Sequence, residues 1–136
     1  MVKQQRITVK VKKKGCHLIT NQILEALGPL PETGLVHLFL QHTSAAITIN
    51  ENYDPAVLRD FEAYMERIVP RDVDFLTHTI EGPDDMPSHV KMAITGFEIT
   101  LPITGHKLGL GQWQGIWLCE YRDLPRDRNI ILSVLS

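Results

Sequence analysis

Cysteine is scarce in this chain. Cys16 and Cys119 are the only two in 136 residues. They form no CxxC motif, and two cysteines this far apart are no disulfide framework. For a chain expected in the reducing cytoplasm, the reading is a turn thiol at Cys16 and a strand packing residue at Cys119. An excess of basic charge is missing too, since 14 Lys and Arg stand against 16 Asp and Glu for a formal charge of −2. That argues against a nucleic-acid partner, whose binding depends on neutralising phosphates. The one basic cluster, Lys10, Lys12, Lys13 and Lys14, reads as a solvated strand end and turn. No apolar run reaches the ~20 residues of a membrane span, and the N-terminal residues lack a signal-peptide apolar region. No membrane association is expected. Repeats, low-complexity tracts and linkers are also lacking, so the chain reads as one domain.

What remains is ordinary in bulk and unusual in detail. With 43% hydrophobic and 22% charged residues, the composition is that of a globular domain able to bury a core without disulfides. Residues 6–12 alternate, with Ile7, Val9 and Val11 on one face, which predicts a half-buried strand. A short helix is expected from Thr20 to Leu27, stopped by Gly28. Strands follow at 35–42 and 45–50, broken at Thr43-Ser44. Asp54-Pro55 is a strong helix start, and Val57, Leu58, Phe61, Tyr64, Met65 and Ile68 recur at helical spacing up to Pro70. A second helix opens at Met86-Pro87 and stops at Gly96. Strands are expected at about 97–103, 113–122 and 129–135. Few helices and a strand-rich C-terminal half predict an α+β fold, mainly antiparallel and sandwich-like, with helices on the outside.

Polar residues interrupt the apolar runs at Gln41-His-Thr-Ser44, Asn50-Glu-Asn52 and His78 to His89. His42 shares a strand face with Val36, Leu38 and Leu40, so it reads either as a hydrogen-bonded core residue or as a ligand. Thr43 and Ser44 can bind an anion or stabilise a turn. His78 precedes an acidic loop, and His89 lies in the first turn of the second helix. Their eleven-residue separation matches no standard zinc motif. A loop folding back into a helix would still bring both imidazoles together, as a divalent metal with an open position requires. Asp84 and Asp85 either support such a site or cap the helix. On 113–122 both strand faces mix polar and apolar groups, which suggests burial by a neighbouring subunit or ligand. Gln114 and Arg122 fall on the same side and could hold an anion, or Glu120 could neutralise Arg122.

Three segments, His42 to Pro55, Glu81 to His89 and Leu110 to Ile116, together resemble the YjbQ family, sometimes called secondary thiamin-phosphate synthase. The resemblance runs the length of the chain. It implies a cyclic homotrimer and a pocket whose metal, zinc or magnesium, is held by His42, His78 and His89. It also points to Asn50, Glu51, Gln114 and Arg122 as the pocket's polar wall; Thr43 and Ser44 are further candidates for contact with a small anionic metabolite, and Glu51 or Asp85 for the base. The family label implies joining a pyrimidine diphosphate to a thiazole phosphate with release of pyrophosphate. A metal-assisted hydrolase and a non-catalytic trimeric metabolite-binding protein are the competing expectations.

Overall fold

A computed structural model describes all of residues 1–136. Eight strands and three helices follow in the order β1 (Val2–Val9), β2 (Gly15–Leu18), α1 (Thr20–Leu27), β3 (Thr33–Leu40), β4 (Ala45–Glu51), α2 (Pro55–Ile68), α3 (Asp85–Thr95), β5 (Glu98–Thr104), β6 (Lys107–Leu108), β7 (Gln114–Glu120) and β8 (Arg128–Leu135). They build one sheet in the order β1-β8-β3-β5-β6 and a second in the order β2-β7-β4. Every pairing is antiparallel. The expected α+β sandwich is the fold.

Alternation explains the layers. Val36, Leu38 and Leu40 of β3, Ile130 and Leu132 of β8, and Leu101 and Ile103 of β5 bury one face of the larger sheet. Ile47 of β4 and Ile116 and Leu118 of β7 meet them from the smaller sheet, and Ile23 of α1 closes the same core. The other face of the smaller sheet carries Ala46, Cys119 and Tyr121, packed against Phe61 of α2 and Met92 of α3. Within the chain, Ile116 and Leu118 of β7 meet the core, and Cys119 with the following Tyr121 meets the outer helices, while Trp113 and Gln114 at its start stay exposed.

Local sequence sets the helix ends. The Asp54 side chain accepts from the Ala56 backbone N–H at 2.9 Å, with Pro55 in the first turn. This is the expected cap. Thr20 caps nothing; its hydroxyl accepts from the Ile116 N–H and ties α1 to β7. Two short strands went unforeseen. β2 follows directly on the lysine-rich turn, and the two-residue β6 is too short to show a period.

Candidate metal centre

The site forms where three chain segments meet at one end of the smaller sheet. Asp85 and His89 are four residues apart on α3, so they lie on one helix face. His78 reaches them from the loop before α3. His78 Nε2 lies 2.7 Å and His89 Nε2 3.0 Å from the same oxygen, Oδ2 of Asp85. The ligand atoms of these three residues all lie within 4.8 Å of one another. The carboxylate is buried, with its side chain 2% exposed, whereas His78 is 42% and His89 27% exposed. The cluster is thus closed behind the carboxylate and open in front of the imidazoles.

Hydrogen bonding behind the cluster fixes its chemistry. His89 Nδ1 lies 2.6 Å from the Thr43 carbonyl oxygen. A carbonyl can only accept, so Nδ1 carries the proton. In the neutral ring this leaves the Nε2 lone pair aimed at a carboxylate oxygen. Two acceptors 3.0 Å apart repel unless a cation, either a proton on Nε2 or a metal ion, sits between or beside them. A backbone carbonyl holding the far ring nitrogen is the usual support of a metal-ligating histidine. Two imidazole nitrogens and one carboxylate oxygen form a donor set suited to zinc and leave a coordination position free. Bonds of about 2.0–2.2 Å place tetrahedral ligand atoms roughly 3.4 Å apart, so the two contacts would open by about half an ångström around an ion.

Arg122 holds the carboxylate in place. Its Nη1 donates to Asp85 Oδ1 at 2.7 Å, its Nε to Asp84 Oδ2 at 2.9 Å and its Nη2 to the Glu81 carbonyl at 3.1 Å. Asp84 Oδ2 also accepts from the Asp123 backbone N–H. Burial would raise both aspartates, but hydrogen bonds and the Arg122 charge outweigh it and hold both below the usual carboxylate range. The interactions lowering Asp85 come first from His78, then from His89 and Arg122.

These contacts correct several sequence expectations. Asp85, expected as a base, is a depressed carboxylate with both oxygens engaged, which suits a ligand. Asp84 sits at the N-cap position of α3, but its side chain makes no capping bond; Arg122 has claimed it. Arg122 is buried among carboxylates and is not displayed to an anion. Glu120 does not neutralise the Arg122 side chain. It pairs with Arg128 through two hydrogen bonds, from Nε at 2.8 Å and from Nη2. Ser44 is buried too, its hydroxyl accepting from Arg128 Nη1 at 3.0 Å, so it belongs to that pair.

His42 stands beside the cluster but outside it. Its Nε2 accepts from the Asn129 backbone N–H at 2.8 Å, so the lone pair a metal would need is taken. Burial, with help from Arg128, keeps His42 below the usual imidazole range. Glu51, Asn50 and Gln114 lie at the far end of the smaller sheet, where Glu51 and Gln114 are register partners. Six residue steps along β4 from Ala45 put Glu51 roughly 20 Å beyond the Thr43-Ser44 break. There the Glu51 carboxylate accepts from the Asp54 N–H, Asn50 Oδ1 from the Glu51 N–H and Gln114 Oε1 from the Gly111 N–H. They brace turns and do not reach the histidines within one subunit. Thr43 remains at the site, exposed, with its carbonyl held by His89. A cleft of about 310 Å³ lined by Arg71, Thr79, Gly82 and Pro83 adjoins His78. His17, His37 and His106 are tied to Lys13, Glu98 and Leu30 respectively, away from this centre.

The part that no sequence pattern could show is the Thr43 carbonyl. A main-chain oxygen carries no residue signature, and only the turn between β3 and β4 presents it to His89.

Comparison with known proteins agrees with this architecture. The family model for UPF0047 protein YjbQ-like matches residues 5–136. The chain is 47% identical over 133 residues to UPF0047 protein YjbQ of Salmonella typhimurium, covering 96% of each chain. Against YjbQ of Escherichia coli O157:H7 the identity is 44%, with the same coverage. Among solved structures, the conserved hypothetical protein TT1486 of Thermus thermophilus superposes with a TM-score of 0.85 at 33% identity, covering 96% of this chain and 99% of that one. A YbjQ-like protein of unknown function from Sulfolobus solfataricus gives 0.82 at 26% identity, covering 100% and 98%. By family model, sequence and fold alike, the chain belongs to the YjbQ (UPF0047) family.

Proposed function

We propose that this protein is a metal-dependent enzyme acting on a small anionic, phosphorylated metabolite, with a divalent cation, zinc or magnesium, held by His78, Asp85 and His89. One observation carries the reading. The Thr43 carbonyl commits His89 to the Nδ1–H tautomer, which turns its Nε2 lone pair toward a buried carboxylate and a second imidazole. That arrangement calls for positive charge at one point, open to solvent on the imidazole side. The two nitrogen donors favour zinc over magnesium, which prefers oxygen ligands and retained water.

A bound divalent cation supplies Lewis-acid stabilisation for charge developing on a phosphate oxygen or leaving group. The chain's own residues do the rest. Arg122 and Asp84 hold Asp85 so that Oδ2 alone faces the site. The Thr43 carbonyl fixes the ring of His89, and the Thr43 hydroxyl offers a donor to an anionic substrate at the rim. Formation of thiamin phosphate is the specific reaction we put forward. A homotrimer is part of the same proposal. It would cover the exposed apolar residues Ile68, Phe75 and Ile94, which line a groove of about 390 Å³ with Met86 and Val90.

The test supplies the pyrimidine diphosphate and the thiazole phosphate, separately and together, to zinc-loaded and magnesium-loaded protein and measures pyrophosphate. Release that needs both precursors, and that Asp85→Asn or His89→Ala abolishes, is the expected result. Cleavage of phosphate esters without the second precursor would replace the transferase by a hydrolase at the same residues. Tight binding of a recovered metabolite with no turnover under either metal would sink the enzyme reading and leave a binding protein.

A further inference from the structure

On the helix-covered face of the smaller sheet, two thiols face each other. Cys16 and Cys119 are register partners across β2 and β7, and their sulfurs lie 3.1 Å apart. The ladder shows which kind of pair this is. The Ile19 N–H donates to the Ile116 carbonyl at 2.8 Å. Hydrogen-bonded pairs alternate along an antiparallel ladder, so Ile19–Ile116 and His17–Leu118 are of that type and Cys16–Cys119 is not. The Cys16 N–H accordingly points away from β7 and donates to Glu62 Oε1 of α2 at 2.6 Å. Gly15 makes room for this approach, because a Cβ there would come within 2.9 Å of that oxygen. Opposed residues of a non-hydrogen-bonded pair stand about 4.5 Å apart at Cα, inside the roughly 4.4–6.8 Å that a disulfide accepts. Cys119 is fully buried, whereas Cys16 is partly exposed.

We propose that Cys16 and Cys119 form a reversible redox dithiol that closes to an intramolecular disulfide on encounter with a low-molecular-weight disulfide such as oxidised glutathione. Cys16, the reachable thiol, attacks one sulfur of the small disulfide, breaks its S–S bond and releases one small thiol. Cys119 then attacks Cys16 Sγ in the mixed disulfide and displaces the second small thiol. The protein loses two electrons and two thiol protons, and the small disulfide gains both. The thiolate is the attacking species. The hydrogen bond with Cys119, burial and the nearby Glu62 charge push the Cys16 thiol well above its ordinary range. Closure is therefore slow, on the scale of minutes to hours.

The experiment exposes reduced, folded protein to oxidised glutathione. Samples are acid-quenched over several hours, alkylated after unfolding, and analysed by intact mass and peptide mapping. Wild type is expected to lose two hydrogens and both alkylatable thiols, with a peptide linking Cys16 to Cys119 within one chain. Cys119→Ser is expected to stop at a glutathione adduct on Cys16, and Cys16→Ser to stay unmodified. A companion titration compares folded wild type with the urea-unfolded chain. The folded pair should close at a glutathione ratio shifted by at least about tenfold toward the disulfide, because the fold holds together residues whose loop the unfolded chain must close. Two free thiols after hours, a persistent adduct in wild type, a linkage between chains, or an unshifted ratio would each overturn the proposal.

Discussion

Two arginine–carboxylate centres stand at the same end of β7, and they have opposite characters. In the first, Arg128 is paired with Glu120 and Ser44, and all three are buried. Every charge meets a protein partner and nothing faces solvent. In the second, Arg122 is paired with Asp84 and Asp85, but only Oδ1 of Asp85 meets the arginine, and Oδ2 points at two imidazoles that water can reach. The chemistry of the groups is the same. The second centre becomes a candidate site only because its charge is closed on one side and unfinished on the other.

Breaking the closed centre should give the largest effect. Arg128→Ala strands a buried carboxylate and is expected to lower unfolding free energy by about 3–5 kcal/mol, read by urea denaturation. Breaking the open centre should affect ligand binding first. Asp85→Asn is expected to weaken zinc binding in calorimetry by more than about a hundredfold, beyond the 10–100-fold that outer contacts typically cost. Arg122→Lys keeps the charge but loses the fork that grips both aspartates. It should cost about 10–100-fold in zinc affinity, with the helical circular dichroism signal retained.

A smaller effect is expected from His42, which lies between the two centres. Its folded-state value lies below the ordinary imidazole value of about 6.5. Below that pH the unfolded chain binds a proton that the folded chain resists, so stability falls as pH drops from about 6.5 toward the folded value. His42→Gln should flatten that part of a stability-against-pH profile. If the profile kept its slope, a group other than the buried His42 would be responsible for that part of it. The smallest effect belongs to the far end of the sheet: Glu51→Gln should leave zinc affinity unchanged, and a tenfold loss would place that end in the site.

Much of this comparison was legible before the fold was known, because its ingredients are local. Asp54-Pro55 with apolar residues at helical spacing marked α2, and period-two alternation marked β3 and the last four residues of β1, which starts at Val2 and ends at Val9 short of the expected residue 12. His78 and His89 stood out because a loop-to-helix passage can double back. The rest depends on partners distant in sequence. Whether Glu120 takes Arg122 or Arg128 depends on the turn after β7, which brings Arg128 back onto the same carboxylate. His42 reads from sequence as core residue or ligand alike, because the competitor for its lone pair is the Asn129 backbone N–H, which no residue type betrays. Cys16 and Cys119 read as unrelated thiols because only the β2–β7 register joins them.

His78, Asp85 and His89 form the proposed metal centre, and His42 stands outside it. Cobalt(II) titration of the metal-free protein, followed by visible absorption, tests it most directly. Wild type and His42→Ala should each give one tetrahedral-type cobalt band per chain, and His89→Ala should give none. Loss of the band in His42→Ala with retention in His89→Ala would contradict it.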